Sequence, residues 1–142
     1  MGWVDEITML FAKDEYYGKR SAKIMINSVY PSIANRKYLT WEKDEKVIGF
    51  ASYGFLKEKE ISENKYNGTE VFCRDDGEVL HVCQFVCAGD RKDVFRFARQ
   101  IQKKLSKKYP DRPFATAIRK KSGSERPAKY VKGLASCAAL HL

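Results

Sequence analysis

One stretch concentrates the residue types that do chemistry. From Glu78 to Lys92 the chain reads EVLHVCQFVCAGDRK, which supplies one imidazole, two thiols and a glycine followed by an acid and two cations. His81 is a candidate general base, and it stands two positions before Cys83, so on an extended strand both point the same way. Cys83 and Cys87 are candidate carriers of an acyl group as a thioester, if a neighbouring base or cation lowers the thiol's pKa. Tyr17, next to Tyr16, is a candidate proton donor to a leaving thiolate, and Glu78 is a further candidate base. Each has a plainer reading: a hydrogen-bonded core histidine, packed inert thiols, a pair of half-exposed rings.

The segment Val86, Cys87, Ala88, Gly89, Asp90, Arg91, Lys92 is a candidate anion seat, running from a strand end through a glycine loop into a helix. The first N–H groups of a helix have no intrahelical partner, and the helix dipole favours negative charge there. Arg91 and Lys92 add two cations. A phosphate or pyrophosphate fits such a place, as carried by coenzyme A or a phosphopantetheine arm. The plainer alternative is an αβ connection with a solvated basic loop, because one glycine is a weak phosphate signature.

Positioning these groups is the task of a strand and a helix. In Glu78–Ala88, Val79, His81, Cys83, Phe85 and Cys87 alternate with Leu80, Val82, Gln84 and Val86. Both sets are mostly apolar, which predicts a central strand covered on both faces. Asp90 is a helix N-cap with Asp93 completing an approximate capping box. Val94, Phe97, Ala98, Ile101 and Leu105 then form one apolar face, and Tyr109-Pro110 ends the helix. Upstream, Trp3–Lys13 is an amphipathic helix, followed by a polar break at Gly18 and a second helix over Ala22–Ile33. Asn35–Glu42 and Lys46–Phe55 pair as an antiparallel hairpin, whose charged loop lacks Asn-Gly and is expected to exceed two residues. In the polar stretch 57–77, Thr69–Phe72 reads as a strand piece. Phe114–Arg119 is a further strand, the tail after it is basic, and Leu134–Leu142 is an apolar helix or strand. The expected fold is a single domain over 1–142 of α/β (α+β) class, a mixed sheet flanked by helices. Its element order is that of the acetyltransferase-like fold.

Composition bounds the rest. With 44% hydrophobic residues in 142, the chain can bury a core. No apolar run reaches the length of a membrane span, and the acidic N-terminal segment does not read as a signal peptide. Cys73, Cys83, Cys87 and Cys137 suit buried, reduced thiols of a cytoplasmic protein, and no Cys/His spacing completes a zinc site, so no metal is expected. A net charge of +9 predicts attraction to acidic partners without choosing among them.

The chain resembles the RTX-toxin-activating lysine acyltransferases, a branch of the acetyltransferase-like superfamily. The resemblance rests on VYPSIANRKY (Val29–Tyr38), VIGFASYGFL, Glu58–Ile61, Gly89-Asp90, KKLSKKYPD and Ala117-Ile118-Arg119, taken in order and spacing. It implies transfer of a fatty acyl group from acyl carrier protein, or from acyl-CoA, to a lysine amine of a target protein. It also implies kinship with proteins found in tailed phages. The family uses a histidine and an aspartate, and the corresponding positions here hold Tyr17 and Cys83, so those two roles do not carry over. Two other readings stand beside this one. The first is a non-catalytic binding protein of the same fold that acts on an acidic partner protein. The second is a nucleic-acid binder using the basic residues of 96–108 and 119–132 with Tyr109 and Tyr130.

Overall fold

The computed structural model describes residues 2–14, 17–63, 68–116 and 129–131. Five strands form one sheet in chain order: β1 (Tyr38–Lys43), β2 (Lys46–Leu56), β3 (Val79–Cys87), β4 (Phe114–Thr116) and β5 (Lys129–Val131). β1, β2 and β3 pair antiparallel, β3 and β4 parallel, β4 and β5 antiparallel. A parallel neighbour requires a crossover, and the long helix α6 (Arg91–Lys108) supplies it between β3 and β4. The fold is thus a mixed α+β sheet. Residues 117–128 and 132–142 lie outside the described residues. The expected strand is therefore seen only as Phe114–Thr116, and the readings of Ala117-Ile118-Arg119, the basic tail and Leu134–Leu142 are not addressed.

Helices cover both faces. On one, α1 (Trp3–Lys13) places Ile7, Leu10 and Phe11 against Phe50 and Val86, together with Met25 and Val29 from the helical run that follows. That run is not the uniform helix expected over Ala22–Ile33. It comprises a tight turn Gly18–Arg20, α2 (Ser21–Ile24), a widened π-type turn Met25–Val29, and α3 (Tyr30–Ala34). On the other face, Phe97, Ala98, Ile101 and Leu105 of α6 pack on Ala51, Tyr53, Phe55, Leu80, Val82 and Phe85. Apart from the half-buried Val94 and the exposed Phe95, polar residues occupy the rest of α6, as the amphipathic pattern requires.

Three local expectations change. The hairpin loop has two residues, Asp44 and Glu45, with φ of 53° and 64°. Left-handed backbone at both positions gives the twist that two-residue hairpins need, and here the ladder imposes it without Asn-Gly. Thr69–Phe72 is not strand but part of the helix α5 (Gly68–Cys73), preceded by the short helix α4 (Glu58–Ser62). Successive residues Val71 and Phe72 are both buried there, against Leu56, Val79 and Cys83, which a half-exposed strand cannot achieve. Of the thiols expected to be buried, Cys83 is, Cys87 is half-buried and Cys73 is exposed on α5.

A buried cation closes α5. Lys37, directly before β1, donates from Nζ to Phe72 O (3.0 Å) and Arg74 O (2.6 Å), and pairs with Asp75 (2.9 Å). Carbonyls at a helix end lack intrahelical donors, and the ammonium provides one where water is excluded. No helix among the described residues is long and apolar enough to cross a membrane. Replacing Lys37 with Met keeps the stem and removes the donor, and is expected to cost about 3 kcal/mol in urea unfolding. A change below about 0.5 kcal/mol, the range of ordinary surface substitutions, would contradict this role.

Candidate functional site

β3 carries the candidate residues, and an irregularity in it decides where they point. Its register with β2 slips by one: Ser52 faces Gln84 while Tyr53 faces Val82, so Cys83 is the extra residue of a bulge. The alternation therefore inverts at Cys83. Leu80, Val82, Phe85 and Cys87 belong to the α6 face, whereas Val79, Cys83 and Val86 pack on the opposite one. His81, opposite Gly54, shares the side of Cys83 as expected, but Phe85 and Cys87 do not. Simple period-two counting had placed all of them on one face.

Beside the bulge, two successive backbone donors meet side-chain acceptors. Gln84 N–H donates to Ser52 Oγ (3.2 Å), and Ser52 Oγ is itself hydrogen-bonded to Gln84 Oε1. Phe85 N–H, pointing the other way, donates to Tyr17 Oη (3.4 Å). Tyr17 is buried and meets Phe11 edge-on at 4.9 Å. Its position is set by Asp14, whose carboxylate accepts Tyr17 N–H (3.0 Å) and whose carbonyl accepts Gly18 N–H (2.7 Å). The structure thus brings Tyr17 and the Cys83 bulge together across nearly half the chain. His81 and Cys83 are both buried, and the thiol donates to the His81 carbonyl at 3.6 Å. Burial pushes the Cys87 thiol up, and the Asp93 and Asp90 carboxylates add to this against a hydrogen bond with the Gly89 backbone. Cys87 is therefore a thiol, not a thiolate, at neutral pH, which weakens it as a nucleophile.

The start of α6 is furnished with the protein's own carboxylates. Asp93 N–H donates to Asp90 Oδ1 (2.9 Å) and Asp90 N–H to Asp93 Oδ2 (3.1 Å), a reciprocal capping box. Asp93 also accepts from Lys43 Nζ (3.2 Å) at the end of β1 and from Trp41 Nε1 (3.5 Å). A Cβ on Gly89 would lie 2.5 Å from Asp93 Cβ and Oδ2, so this glycine makes room for Asp93. Arg91 and Lys92 are exposed, with the Arg91 guanidinium 5.7 Å over the Phe95 ring. An incoming phosphate can be met by those two side chains, but it also faces two carboxylates at the helix end.

Beside this segment lies an open apolar cleft of about 610 Å³ between α1 and the sheet. Leu10, Val47, Ile48 and Val86 form its apolar lining, Lys13 and Lys46 stand at its rim, and Cys87 and Ala88 line its end. Its volume lies in the range of small-molecule sites, roughly 300–1,000 Å³. The expected binding residues Val86, Cys87 and Ala88 line it, and Gly89, Asp90, Arg91 and Lys92 continue the chain past it. Sequence reading missed Ser52, Asp14 and the Lys43–Asp93 pair. Ser52 and Gln84 did carry a signal: each is a polar residue within a mostly apolar strand. Tyr16 lies outside the described residues, as do Cys137 and His141. Among the described residues no cluster of His, Cys, Asp or Glu is placed to hold a metal ion.

The anchor at Asp93 has a pH signature. Burial alone would raise its carboxyl, but hydrogen bonds from Lys43, the Asp90 backbone and Trp41 outweigh it and hold the group below its ordinary value. The folded state then binds fewer protons than the unfolded chain, so this stabilisation is full above the ordinary value of about 3.9 and is lost as pH falls through the folded value. Urea midpoints measured between about pH 2 and 6 should fall with acid, and less steeply for Asp93→Asn. Parallel curves for the two proteins would remove Asp93 from the account.

The comparisons with known proteins leave the reading to this geometry: no family model matches the chain, and no curated protein matches it at a significant level.

Proposed function

We propose that the protein is an N-acyltransferase of acetyltransferase-like fold, moving an acyl group from an acyl thioester to a protein amine, in the first instance a lysine. The observation that carries this reading is the apolar cleft that ends at Val86–Ala88 before the start of α6; of its lining, Asp14 accepts Tyr17 N–H and Val86 follows Phe85 in the chain. The cleft holds the acyl chain. Beside the bulge of β3, the N–H groups of Gln84 and Phe85 meet the side-chain oxygens of Ser52 and Tyr17, and an N–H group of this kind polarises a thioester carbonyl. As the neutral amine attacks, a C–N bond forms and the C–S bond breaks. Tyr17 gives its phenol proton to the leaving thiolate and recovers one from the amine nitrogen. Placing amine and thioester side by side supplies much of the remaining acceleration. His81 and Cys83, buried on the α5 side, act as supports of this strand rather than as the reacting pair.

Asp90 and Asp93 also bear on the donor. Two carboxylates at the helix N-terminus disfavour the pyrophosphate of coenzyme A and favour a donor whose single phosphate is met by Arg91 and Lys92, as in the arm of an acyl carrier protein. The second reading, a non-catalytic protein that binds an acidic partner, is favoured by the exposed cations of α6. Nucleic acid is the further alternative for the same surface.

Titration with acetyl-, octanoyl- and palmitoyl-coenzyme A and with octanoyl acyl carrier protein tests the proposal. Affinity should rise with chain length, be higher for the carrier protein, and fall in Met9→Trp, which narrows the mouth of the cleft from an exposed helix position. Tyr17→Phe should bind donor normally yet transfer about a hundredfold more slowly. Binding to no thioester would sink the acyl-transfer reading and leave the binding-protein reading.

A further inference from the structure

A second groove, of about 340 Å³, lies on the opposite layer and shares no lining residue with the acyl cleft. Its wall is the first half of β1, Tyr38, Leu39 and Thr40. Its floor is Tyr53 and Leu105, and Arg36, Lys104 and Lys108 surround it. Successive residues of a strand point to opposite faces, so a groove touching three in a row lies along the strand's edge. β1 is the terminal strand of the sheet among the described residues. Lys37 O accepts Tyr53 N–H (3.0 Å), which fixes the parity of the ladder: Leu39 exchanges hydrogen bonds with β2, and the N–H and C=O of Thr40 point away from it.

The charge beside this edge has one sign. Lys104 and Lys108 are one helical turn apart on α6 and run alongside the strand. Arg36 is held at the strand's start by a left-handed turn, φ 56°, in which its N–H donates to Ile33 O (3.1 Å). No carboxylate lines the groove, and the nearby Asp75 is engaged by Lys37. Burial, and then the Tyr109 hydroxyl, push the Tyr53 phenol above its ordinary range, so it stays neutral on the floor. Beyond Asp93, α6 carries no acid but further exposed cations at Arg96, Arg99, Lys103 and Lys107.

The geometry points to a docking site for an extended acidic segment of a partner protein, which adds to the edge of β1 as a further strand. Its backbone would pair with that of Thr40, and acidic side chains at alternate positions would meet Lys104, Lys108 and Arg36. The positions between them would lie beside Tyr38 and Thr40. A duplex nucleic acid uses the cations but not the strand edge, and lysines that merely guard an edge against aggregation bind neither. This inference does not depend on acyl transfer, and it holds equally for a catalytic and a non-catalytic protein.

The probe is a fluorescein-labelled peptide of alternating Glu and Val or Thr, followed by anisotropy, with a DNA duplex as competitor. Binding should weaken at least about tenfold in Lys104→Glu/Lys108→Glu, as expected for close charge pairs. Thr40→Pro removes the outward N–H and should abolish peptide binding while leaving any duplex binding unchanged. The same peptide N-methylated at alternate amides should fail to bind the unaltered protein, which reads the strand pairing without any risk to folding. Absence of peptide binding overturns the proposal, as does equal binding of the N-methylated peptide. A duplex that outcompetes the peptide assigns the groove to nucleic acid and overturns it as well.

Discussion

The Asp93 carboxylate is the contact on which the architecture most depends. It belongs to α6, yet it closes the helix N-terminus through Asp90, takes the Lys43 ammonium from the end of the hairpin, and meets the Trp41 indole. One buried group thereby ties β1, the β3–α6 loop and the first turn of the crossover helix. Gly89 follows from it, because no side chain fits between the loop and that carboxylate. The tie also sets where Phe97 enters the core, stacked near Trp41 and tilted against Phe85 at 5.0 Å between centroids. A helix N-terminus otherwise suited to an external anion is thus used internally.

The bulge at Cys83 is the second constraint. A strand buried on both faces has little freedom to change which residues face which layer, because a slip of one residue exchanges its two faces. The extra residue makes that exchange locally and keeps large side chains on both sides of it: Leu80 and Val82 before, Phe85 after, all toward α6. Beside it, the Gln84 and Phe85 N–H groups donate to the side chains of Ser52 and Tyr17.

Not all of the positive charge serves partners. Lys37 and Arg112 lie over the Phe55 ring, at 5.3 and 4.6 Å, and both donate to backbone carbonyls around Asp75. Arg74 donates to Phe55 O (3.0 Å) and pairs with Glu60. These cations tie the residues from Glu60 to Gly77 that follow β2 to the sheet through Phe55 and backbone carbonyls. The cations of α6 face outward.

The sequence alone determined the elements with long, clean periodicity. Trp3–Lys13 is the helix its apolar spacing describes, the Asp90–Asp93 box starts α6, and Tyr109 ends it before Pro110. The antiparallel hairpin and the buried central strand were legible for the same reason: local pattern and local burial agree there. Around the candidate site, the side shared by His81 and Cys83 was legible too, because period-two alternation holds on that side of the bulge. What tertiary structure decided were the features that no local pattern carries. The bulge depends on matching β3 to β2, so Phe85 and Cys87 changed faces relative to simple alternation. Val71 and Phe72 are helical where both bury against Leu56, Val79 and Cys83 and where Lys37, distant in sequence, donates to Phe72 O. The meeting of Tyr17 with Phe85, the cleft under α1 and the groove along β1 exist only once distant segments pack, because each is bounded by elements that the chain connects by long excursions.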